Sequence, residues 1–351
     1  MTTSSVTAVQ PRRGSDFAVL LNQVRQAGLL RRAPVYYTLR IAFTVALLAA
    51  GWAVFAVGGN SWWQLLTAAF LAVVFTQLGF LGHDAGHRQV FRTRLANEVA
   101  GLLLGNLAIG LGFGWWVDKH HRHHAHPNQE GLDPDISGDV IVFTSAQALA
   151  RRRRFGVFLA RHQGILLLPL MLLEGVNLHV ASVRALGRPH YRNRAGEGML
   201  LLVHLAAYLG AVFVVLPPVK AVVFIAVNQG LFGLYLGCSF APNHKGMPIL
   251  AADDSGDFLR RQVLTSRNVR GGPLIGMLFG GLNYQIEHHL FPSMPRPALR
   301  RARPIVRAYC GEIGLPYAET SVFGSYRQAL RYVHQIGRGT AGAETSVRGQ
   351  A

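Results

Sequence analysis

Two long segments that are almost free of charged side chains constrain the fold of this chain more than any other feature. No Lys or Arg occurs between Ile41 and His87, and the window from Met199 to Pro242 contains only Lys220. A transmembrane helix needs roughly 20 apolar residues, and each window is about twice that length. The two windows therefore predict helices that cross a membrane.

Turn-forming residues divide each apolar window near its middle. Gly58-Gly59-Asn60 interrupts the first window, and Pro217-Pro218 interrupts the second. Glycine and proline at such points are typical of turns between helices. Each window therefore predicts a helical hairpin with a very short loop on the far side of the membrane. The predicted spans are residues 41–57, 63–82, 199–216 and 221–240.

The positive charge of the chain predicts its orientation. The sequence has 35 Lys and Arg against 17 Asp and Glu, which gives a formal net charge of +18. With four spans, every Lys and Arg except Lys220 falls on one side, including the run from Arg151 to Arg154. By the positive-inside rule this side is the cytoplasm. The first forty residues lack the pattern of a secretory signal peptide. We expect an integral protein of the cytoplasmic membrane of a prokaryote, with both termini cytoplasmic.

Composition also excludes some classes of site and partner. The only cysteines are Cys238 and Cys310, which excludes a disulfide framework and a cysteine-ligated iron–sulfur cluster. The arginines flank the membrane spans and lack interleaved aromatic residues, so we predict no nucleic-acid partner. Anionic lipid headgroups, a CoA moiety or an acidic redox protein suit this charge better.

Two further apolar stretches are predicted not to span the membrane. The stretch from Val99 to Trp116 is broken by five glycines, and that from Gly164 to Val180 contains Pro169, Glu174 and Asn177. Both are typical of interfacial or half-buried helices. If the first stretch crossed the membrane alone, the histidines that follow it would be separated from the chain's other histidine groups.

Nine of the fifteen histidines lie in four compact groups. Residues three and four apart share one face of a helix, so the groups with more than one histidine present imidazoles on a common face. Imidazole suits zinc, copper, iron and nickel, and eight ligands are too many for one tetrahedral zinc, which indicates two metal ions. The predicted ligands are His83, His87, His120, His123, His124, His244, His288 and His289.

The spacing of these histidines resembles the membrane fatty-acid desaturase family. The family's three boxes match as His83-Asp-Ala-Gly-His87, as His120-x-x-His123-His124 and as Gln285-x-x-His288-His289. They occur in the family's order, with apolar hairpins in the family's places and a lone histidine, His244, after the last span. The resemblance extends over residues 35–325.

The resemblance implies a chemistry and a set of partners. It implies two iron ions, dioxygen as co-substrate, and the removal of two hydrogens from an acyl-CoA or an acyl lipid to form a double bond. Gln285 at the start of the third box resembles the front-end and related acyl-lipid enzymes, which often carry a fused b-type cytochrome. The chain has no His-Pro-Gly-Gly motif and no dinucleotide-binding loop. We therefore expect a separate ferredoxin or flavin reductase to supply electrons.

No side chain apart from the metal ligands is assigned a catalytic role. Metal-bound imidazoles usually donate their second nitrogen to a carboxylate or carbonyl, and we name Gln285, Glu287 and Asp84 as candidates to support the ligands, with Asp118, Asp133 and Asp135 behind them. His121 and His126 fall off the helical face of their neighbours and are predicted to be supporting or surface groups. The remaining histidines are predicted to be structural: His162, His179, His190, His204 and His334.

The predicted fold is an all-α integral membrane protein. Four transmembrane helices form two hairpins, interfacial helices accompany them, and a cytoplasmic helical cap carries the histidine boxes. The predicted divisions are a cytoplasmic segment 1–34, a membrane desaturase domain 35–325, and a helix end with a disordered tail 326–351. Two alternatives remain. One is an acyl or carotenoid hydroxylase with the same metal site. The other is a metal-binding or transport membrane protein, although transport sites lie near the bilayer midplane, where the spans contain only His204.

Overall fold

The computed structural model describes residues 15–138, 140–189 and 191–339. The predicted disordered tail, residues 1–14 of the first predicted segment and His190 lie outside the described residues. The chain is mostly helical. Its helices are α1 Asp16–Gln26, α2 Pro34–Gly58, α3 Gln64–Gly86, α4 Arg94–Gly101, α5 Phe113–Ala125, α6 Ser145–Leu149, α7 Arg154–Met171, α8 Glu174–Leu186, α9 Arg194–Val215, α10 Pro218–His244, α11 Phe258–Leu264, α12 Pro273–Leu278, α13 Gln285–Leu290, α14 Arg296–Glu312 and α15 Val322–Arg338.

Four helices of the described chain are long and apolar enough to cross a membrane, as the sequence predicts. They are α2, α3, α9 and α10. Each is longer than the predicted span, and α10 continues to His244, four residues past the predicted end. Proline occupies the first turn of both α2 and α10, where its missing N–H has no helical partner to lose.

Helix α3 is the centre of the bundle. In the most apolar 18-residue window of α3, 61% is buried, against 17% in the corresponding window of α2. A side chain on Gly51 of α2 would lie 2.7 Å from Leu71 of α3, so the two helices approach closely there. Aromatic rings fill the space toward α10, with the ring centroids of Phe55 and Phe224 4.8 Å apart and those of Phe75 and Phe232 5.9 Å apart.

The turns that join these helices meet at one end of the bundle. Gly59 follows α2 with a φ of 55°, a left-handed conformation that favours glycine. Nζ of Lys220, in the first turn of α10, lies 2.7 Å from Oδ1 of Asn60. The α2–α3 turn and the α9–α10 turn are therefore neighbours.

The two ambiguous apolar stretches are both broken. Between α4 and α5 the chain forms a π-helix, Leu102–Leu107, followed by an irregular segment that leads to Phe113. Helices α7 and α8 are bent by 81° at their junction. They would form a fifth candidate membrane span only if the bent pair crossed the membrane as one unit. A side chain on Gly233 of α10 would lie 2.4 Å from the backbone nitrogen of Gly175, so α10 packs tightly against this bend.

A second apolar core lies outside the bundle. Leu20 and Val24 of α1 pack with residues of α11, α13 and α14, including Val263, Ile286 and Val306. Among the described residues one short parallel strand pair is found here, β1 Asn268–Arg270 with β2 Glu319–Ser321. Helix α15 packs on α7. The predicted division between residues 325 and 326 lies inside α15.

Candidate metal centre

The first histidine box lies where span α3 ends. His83 is in the last turn of α3 and His87 follows the helix directly. Their ring centroids are 4.7 Å apart, as expected for residues four apart at a helix end. Both rings are buried, with 3% and 7% of the residue exposed. The end of helix α3 therefore places two imidazoles in the interior of the protein.

Helix α5 carries the second box. Nε2 of His120 and Nε2 of His124 lie 3.1 Å apart across one helical turn. Trp116, one turn earlier, stacks on His120 with a centroid distance of 4.5 Å. The neighbouring rings of His123 and His124 are 5.9 Å apart. The three imidazoles of this box therefore lie on one side of α5.

The end of α10 and the short helix α13 complete the cluster. His244 is the last residue of α10, and its Nε2 lies 3.3 Å from Nε2 of His123. His289 of α13 is 4.7 Å from His244 between ring centroids, and His288 is 4.7 Å from His83. Residues far apart in the chain therefore meet around one centre.

The ring nitrogens form two groups within which the ligand atoms lie no more than 4.8 Å apart. The first contains His83, His87, His120 and His288, and the second contains His123, His244 and His289. His124 lies between them, 4.6 Å from His87 and 4.2 Å from His289 between centroids. The structure thus brings all eight predicted ligands together, in two adjoining groups of imidazoles.

Unpartnered ring nitrogens show that the cluster fits metal ions. Five buried imidazole nitrogens have no hydrogen-bond partner among the described residues. They are Nε2 of His83, His87, His288 and His289, and Nδ1 of His124. A buried polar atom without a partner costs roughly 1–3 kcal/mol. Cations bound between these nitrogens would satisfy them, and an all-imidazole donor set suits iron among the transition metals.

Four of the rings are held through Nδ1, which leaves Nε2 to point at the centre. Such outer contacts fix the tautomer and the orientation of a ligand ring. Nδ1 of His83 lies 3.3 Å from Asp84, and Nδ1 of His123 lies 3.0 Å from Asp133. Two of the partners have no motif in the sequence: the carbonyl of Thr265, 3.0 Å from Nδ1 of His244, and Oε1 of Gln262, 2.9 Å from Nδ1 of His289.

The three named supporting candidates occupy different places. Asp84 contacts His83 on one side and pairs with Nη2 of Arg296 at 2.7 Å on the other. Nε2 of Gln285 lies 2.9 Å from Nε2 of His244, at the edge of the cluster. Glu287 instead accepts hydrogen bonds from Asn268 at 2.7 Å and Tyr317 at 2.6 Å. Burial raises the pKa of Glu287 to about 7.

Of the weaker carboxylate candidates, two lie beside the second box. Asp135 pairs with Lys119 at 2.5 Å and lies 3.6 Å from Nδ1 of His123, behind Asp133. Burial acts to raise the pKa of Asp135, but the charges of Lys119 and His123 outweigh it and hold that pKa below its ordinary value. Asp118 is exposed and pairs with Arg122 at 3.4 Å.

The other described histidines lie outside the cluster. Nδ1 of His126 contacts Gln129 at 2.9 Å, and Nδ1 of His162 contacts the carbonyl of Phe158 at 2.8 Å. Within the bundle, His179 and His204 contact backbone carbonyls near the π-helix at 2.8 Å and 2.9 Å. His121 lies at the border, with its ring centroid 6.1 Å from that of His87. His334 lies against Gly164.

Comparison with known proteins decides the family. A family model described as fatty acid desaturase matches residues 60–321, which includes all three boxes. The chain belongs to the fatty acid desaturase family. Curated relatives of this desaturase-family chain include an acyl-lipid (9-3)-desaturase of the moss Physcomitrium patens, 30% identical over 94% of the chain. A Delta(5) fatty acid desaturase of Caenorhabditis elegans is 31% identical over 89% of the chain.

The family resemblance expected from the histidine boxes is thereby confirmed. The chain spans 64% of the length of the moss relative and 71% of that of the nematode relative. A Delta(8)-fatty-acid desaturase of Helianthus annuus is 28% identical over 90% of the chain. These relatives are named as desaturases, which are oxidoreductases, so the desaturase-family chain is assigned to the same enzyme class.

Proposed function

We propose that this protein introduces a double bond into a fatty acyl chain, with two iron ions bound by the eight histidines. The observation that carries the proposal is the convergence of two imidazole groups with unpartnered ring nitrogens at their centre. The names of the relatives support the acyl substrate. Dioxygen is the oxidant, and a ferredoxin or flavin reductase is the electron donor.

The overall reaction balances as follows. Two hydrogens leave adjacent methylenes of the acyl chain, and with two electrons from the donor and two protons they reduce one dioxygen to two waters. Two bound irons supply the dioxygen activation that removal of hydrogen from an unactivated methylene requires.

The protein's own residues position and enclose the site. Asp84, Asp133, Gln262 and the carbonyl of Thr265 hold four rings through Nδ1, so that their Nε2 atoms stay oriented without metal. Burial of the rings excludes water, which protects a reactive site from side reactions.

The proposed orientation places the metal centre and both termini on the cytoplasmic side. The turn that contains Asn60 contacts Lys220 at one end of the bundle, whereas His83 and His244 lie at the opposite ends of their spans, α3 and α10. With the basic segments on the histidine side, the positive-inside rule assigns that side to the cytoplasm. The helices α11, α13 and α14 then form a cytoplasmic cap over the spans.

The test is expression in a host whose lipids lack the expected product, followed by fatty-acid profiling and metal analysis. The wild type should form a new double bond and retain two irons per chain, whereas His124→Ala should lose both product and iron. His162→Ala is the matched control, because His162 is an exposed histidine of α7 outside the cluster, and it should behave as the wild type.

Other results would favour an alternative function or contradict one part of the proposal. A hydroxylated acyl chain or carotenoid would overturn desaturation in favour of a hydroxylase. Metal retention without dioxygen consumption or product would indicate a metal-binding or transport protein. A chain that retains a single metal ion in the folded wild type contradicts the two-ion site. Activity that does not fall with added salt contradicts an electron donor that docks through the basic face.

A further inference from the structure

A cavity of about 560 Å³ lies beside the metal centre and is not used by the proposed chemistry. Ala85 and Gly86, which separate His83 from His87 in the chain, form part of its wall, and so does His121. The cavity therefore borders the segment that carries the first histidine box.

The cavity has a cationic side without matching carboxylates. Arg88, Arg188 and Arg192 line it and are exposed. Among the described residues, none of these three guanidinium groups forms an ion pair or a hydrogen bond. Arg88 also adopts a φ of 57°, a conformation rare for side chains larger than asparagine.

The acidic residues of the same cavity already have ion-pair or hydrogen-bond partners. Glu98 pairs with Arg94 at 2.7 Å, and Asp118 pairs with Arg122 at 3.4 Å. Glu197 is buried, and its Oε2 accepts hydrogen bonds from Asn106, from the backbone of Gly114 and from Tyr191, at 3.0–3.1 Å. The carboxylates of the cavity therefore already have partners, whereas the three guanidinium groups have none in the described chain, which suits an anionic ligand.

One part of the remaining wall is apolar, so the cavity also suits a hydrocarbon chain. Leu102, Phe113, Trp115 and Val117 line it on the side of α5 and the π-helix. Arginine binds phosphate through several hydrogen bonds at once, and an acyl chain fits an apolar wall. A cationic rim above such a wall matches a molecule that joins a phosphate to an acyl chain.

Helix α4 indicates that the cavity opens at the membrane surface. Leu95, Val99 and Leu103 follow one another at four-residue spacing and are 69%, 46% and 48% exposed. Such an apolar face is typical of a helix that lies in the membrane interface. Residues next to this apolar face, Arg94 and Leu102, line the cavity. Span α9 begins at Arg194, two residues after the cavity residue Arg192.

We propose that this cavity binds the phosphate headgroup of an acyl glycerophospholipid from the surrounding leaflet. Arg88, Arg188 and Arg192 contact the phosphate, and the acyl chain lies along the apolar wall toward the histidines. The proposal rests on the proposed function and names its substrate class. An acyl-CoA shares the chemistry of phosphate and acyl chain, but it reaches the enzyme from water, whereas α4 opens the cavity toward lipid.

The experiment uses the full-length protein in a maltoside detergent, which contributes no phosphate. The probe is a phosphatidylglycerol whose acyl chain carries a diazirine near the glycerol. After illumination, peptide mass spectrometry locates the cross-links, which we expect between residues 102 and 117. Competitors are unlabelled phosphatidylglycerol, oleoyl-CoA, inorganic phosphate and diacylglycerol. Only phosphatidylglycerol should compete at low concentration.

The test variant is the double substitution Arg188→Gln and Arg192→Gln. Loss of charge-assisted hydrogen bonds should lower the apparent affinity for the probe about tenfold or more. Arg184→Gln is the matched control, because Arg184 is an exposed arginine of the same basic segment that does not line the cavity. Equal thermal melting of all three proteins shows that folding is unchanged.

The outcomes separate the site from the reaction. Competition by oleoyl-CoA but not by phosphatidylglycerol overturns the lipid substrate in favour of acyl-CoA. Cross-links elsewhere, or full labelling of the double variant, overturn the cavity as the headgroup site. Labelling requires no turnover. Intact labelling without a double-bond product would therefore contradict the proposed function alone, whereas product formation with an unlabelled cavity would contradict only this inference.

Discussion

Asp133 places both of its carboxylate oxygens 3.0 Å from Nδ1 of His123. The carboxylate is itself fixed, because the backbone nitrogens of Asn128 and Asp135 donate to it at 2.7 Å and 2.8 Å. This arrangement holds the Nδ1–H tautomer of His123 and directs Nε2 toward His244. Asp133 thus acts as a positioning residue for the second imidazole group.

Asp133→Asn should weaken metal binding about 10- to 100-fold, the usual effect of losing an outer carboxylate. The measurement is the metal content of purified protein after dialysis against increasing concentrations of a chelator. Asp253→Asn is the control, because Asp253 is exposed and its side chain forms no hydrogen bond or ion pair with a histidine among the described residues. Equal retention of metal by the two variants would contradict the positioning role.

Arg296 and Asp84 form a buried ion pair between α14 and the end of α3, with both residues at least 90% buried. Arg296→Gln leaves the Asp84 carboxylate buried without its cation, and this should reduce the free energy of unfolding by roughly 3–5 kcal/mol. Thermal or denaturant unfolding in detergent measures the change. Arg300→Gln, an exposed arginine of the same helix, should have little effect.

A double variant tests whether the loss comes from the unpaired charge. Arg296→Gln combined with Asp84→Asn removes both charges, so it should recover part of the stability that Arg296→Gln loses. If Asp84→Asn lowers the free energy of unfolding as much in the Arg296→Gln variant as it does in the wild type, the two residues are not coupled.

Gly233 and Gly230 lie on the same helix, α10, but only Gly233 is in close contact with another backbone. A side chain at Gly233 would lie 2.4 Å from the nitrogen of Gly175, whereas one at Gly230 would meet its nearest atom at 3.7 Å. Gly233→Ala should destabilise the protein by roughly 1–3 kcal/mol through overpacking. Gly230→Ala should be neutral or slightly stabilising, since alanine favours helix. Equal melting temperatures would show that the α7–α8 bend adapts.

The proposed orientation predicts opposite labelling of two positions. Asn60→Cys lies in the α2–α3 turn, and Asp253→Cys lies in the exposed segment after α10. In right-side-out vesicles, a membrane-impermeant maleimide should label the first and spare the second until the vesicles are opened. The unsubstituted chain, with Cys238 and Cys310, provides the background. Labelling of both positions from one side would exclude the four-span arrangement.

Much of this protein could be predicted from local sequence. Apolar windows of sufficient length predicted α2, α3, α9 and α10, because the hydropathy of a segment depends only on residues that are consecutive in the sequence. The predicted ends of these helices were less accurate. Helix α10 extends to His244, because a helix continues wherever its backbone hydrogen bonds are formed, whether or not the residues are apolar. The three- and four-residue spacing of the boxes predicted shared faces, and the rings of His83 and His87 do lie together.

Only the tertiary structure decided which groups surround the histidines. Gln262 contacts His289 from 27 residues away and Thr265 contacts His244 from 21 residues away, and neither belongs to a motif. Glu287 belongs to the third box yet bonds to Asn268 and Tyr317. Helical periodicity determines which side chains share a face, but it carries no information about the distant segment that packs against that face. The candidate ligands could therefore be named from the sequence, whereas the contacts that orient their rings depend on how the helices meet.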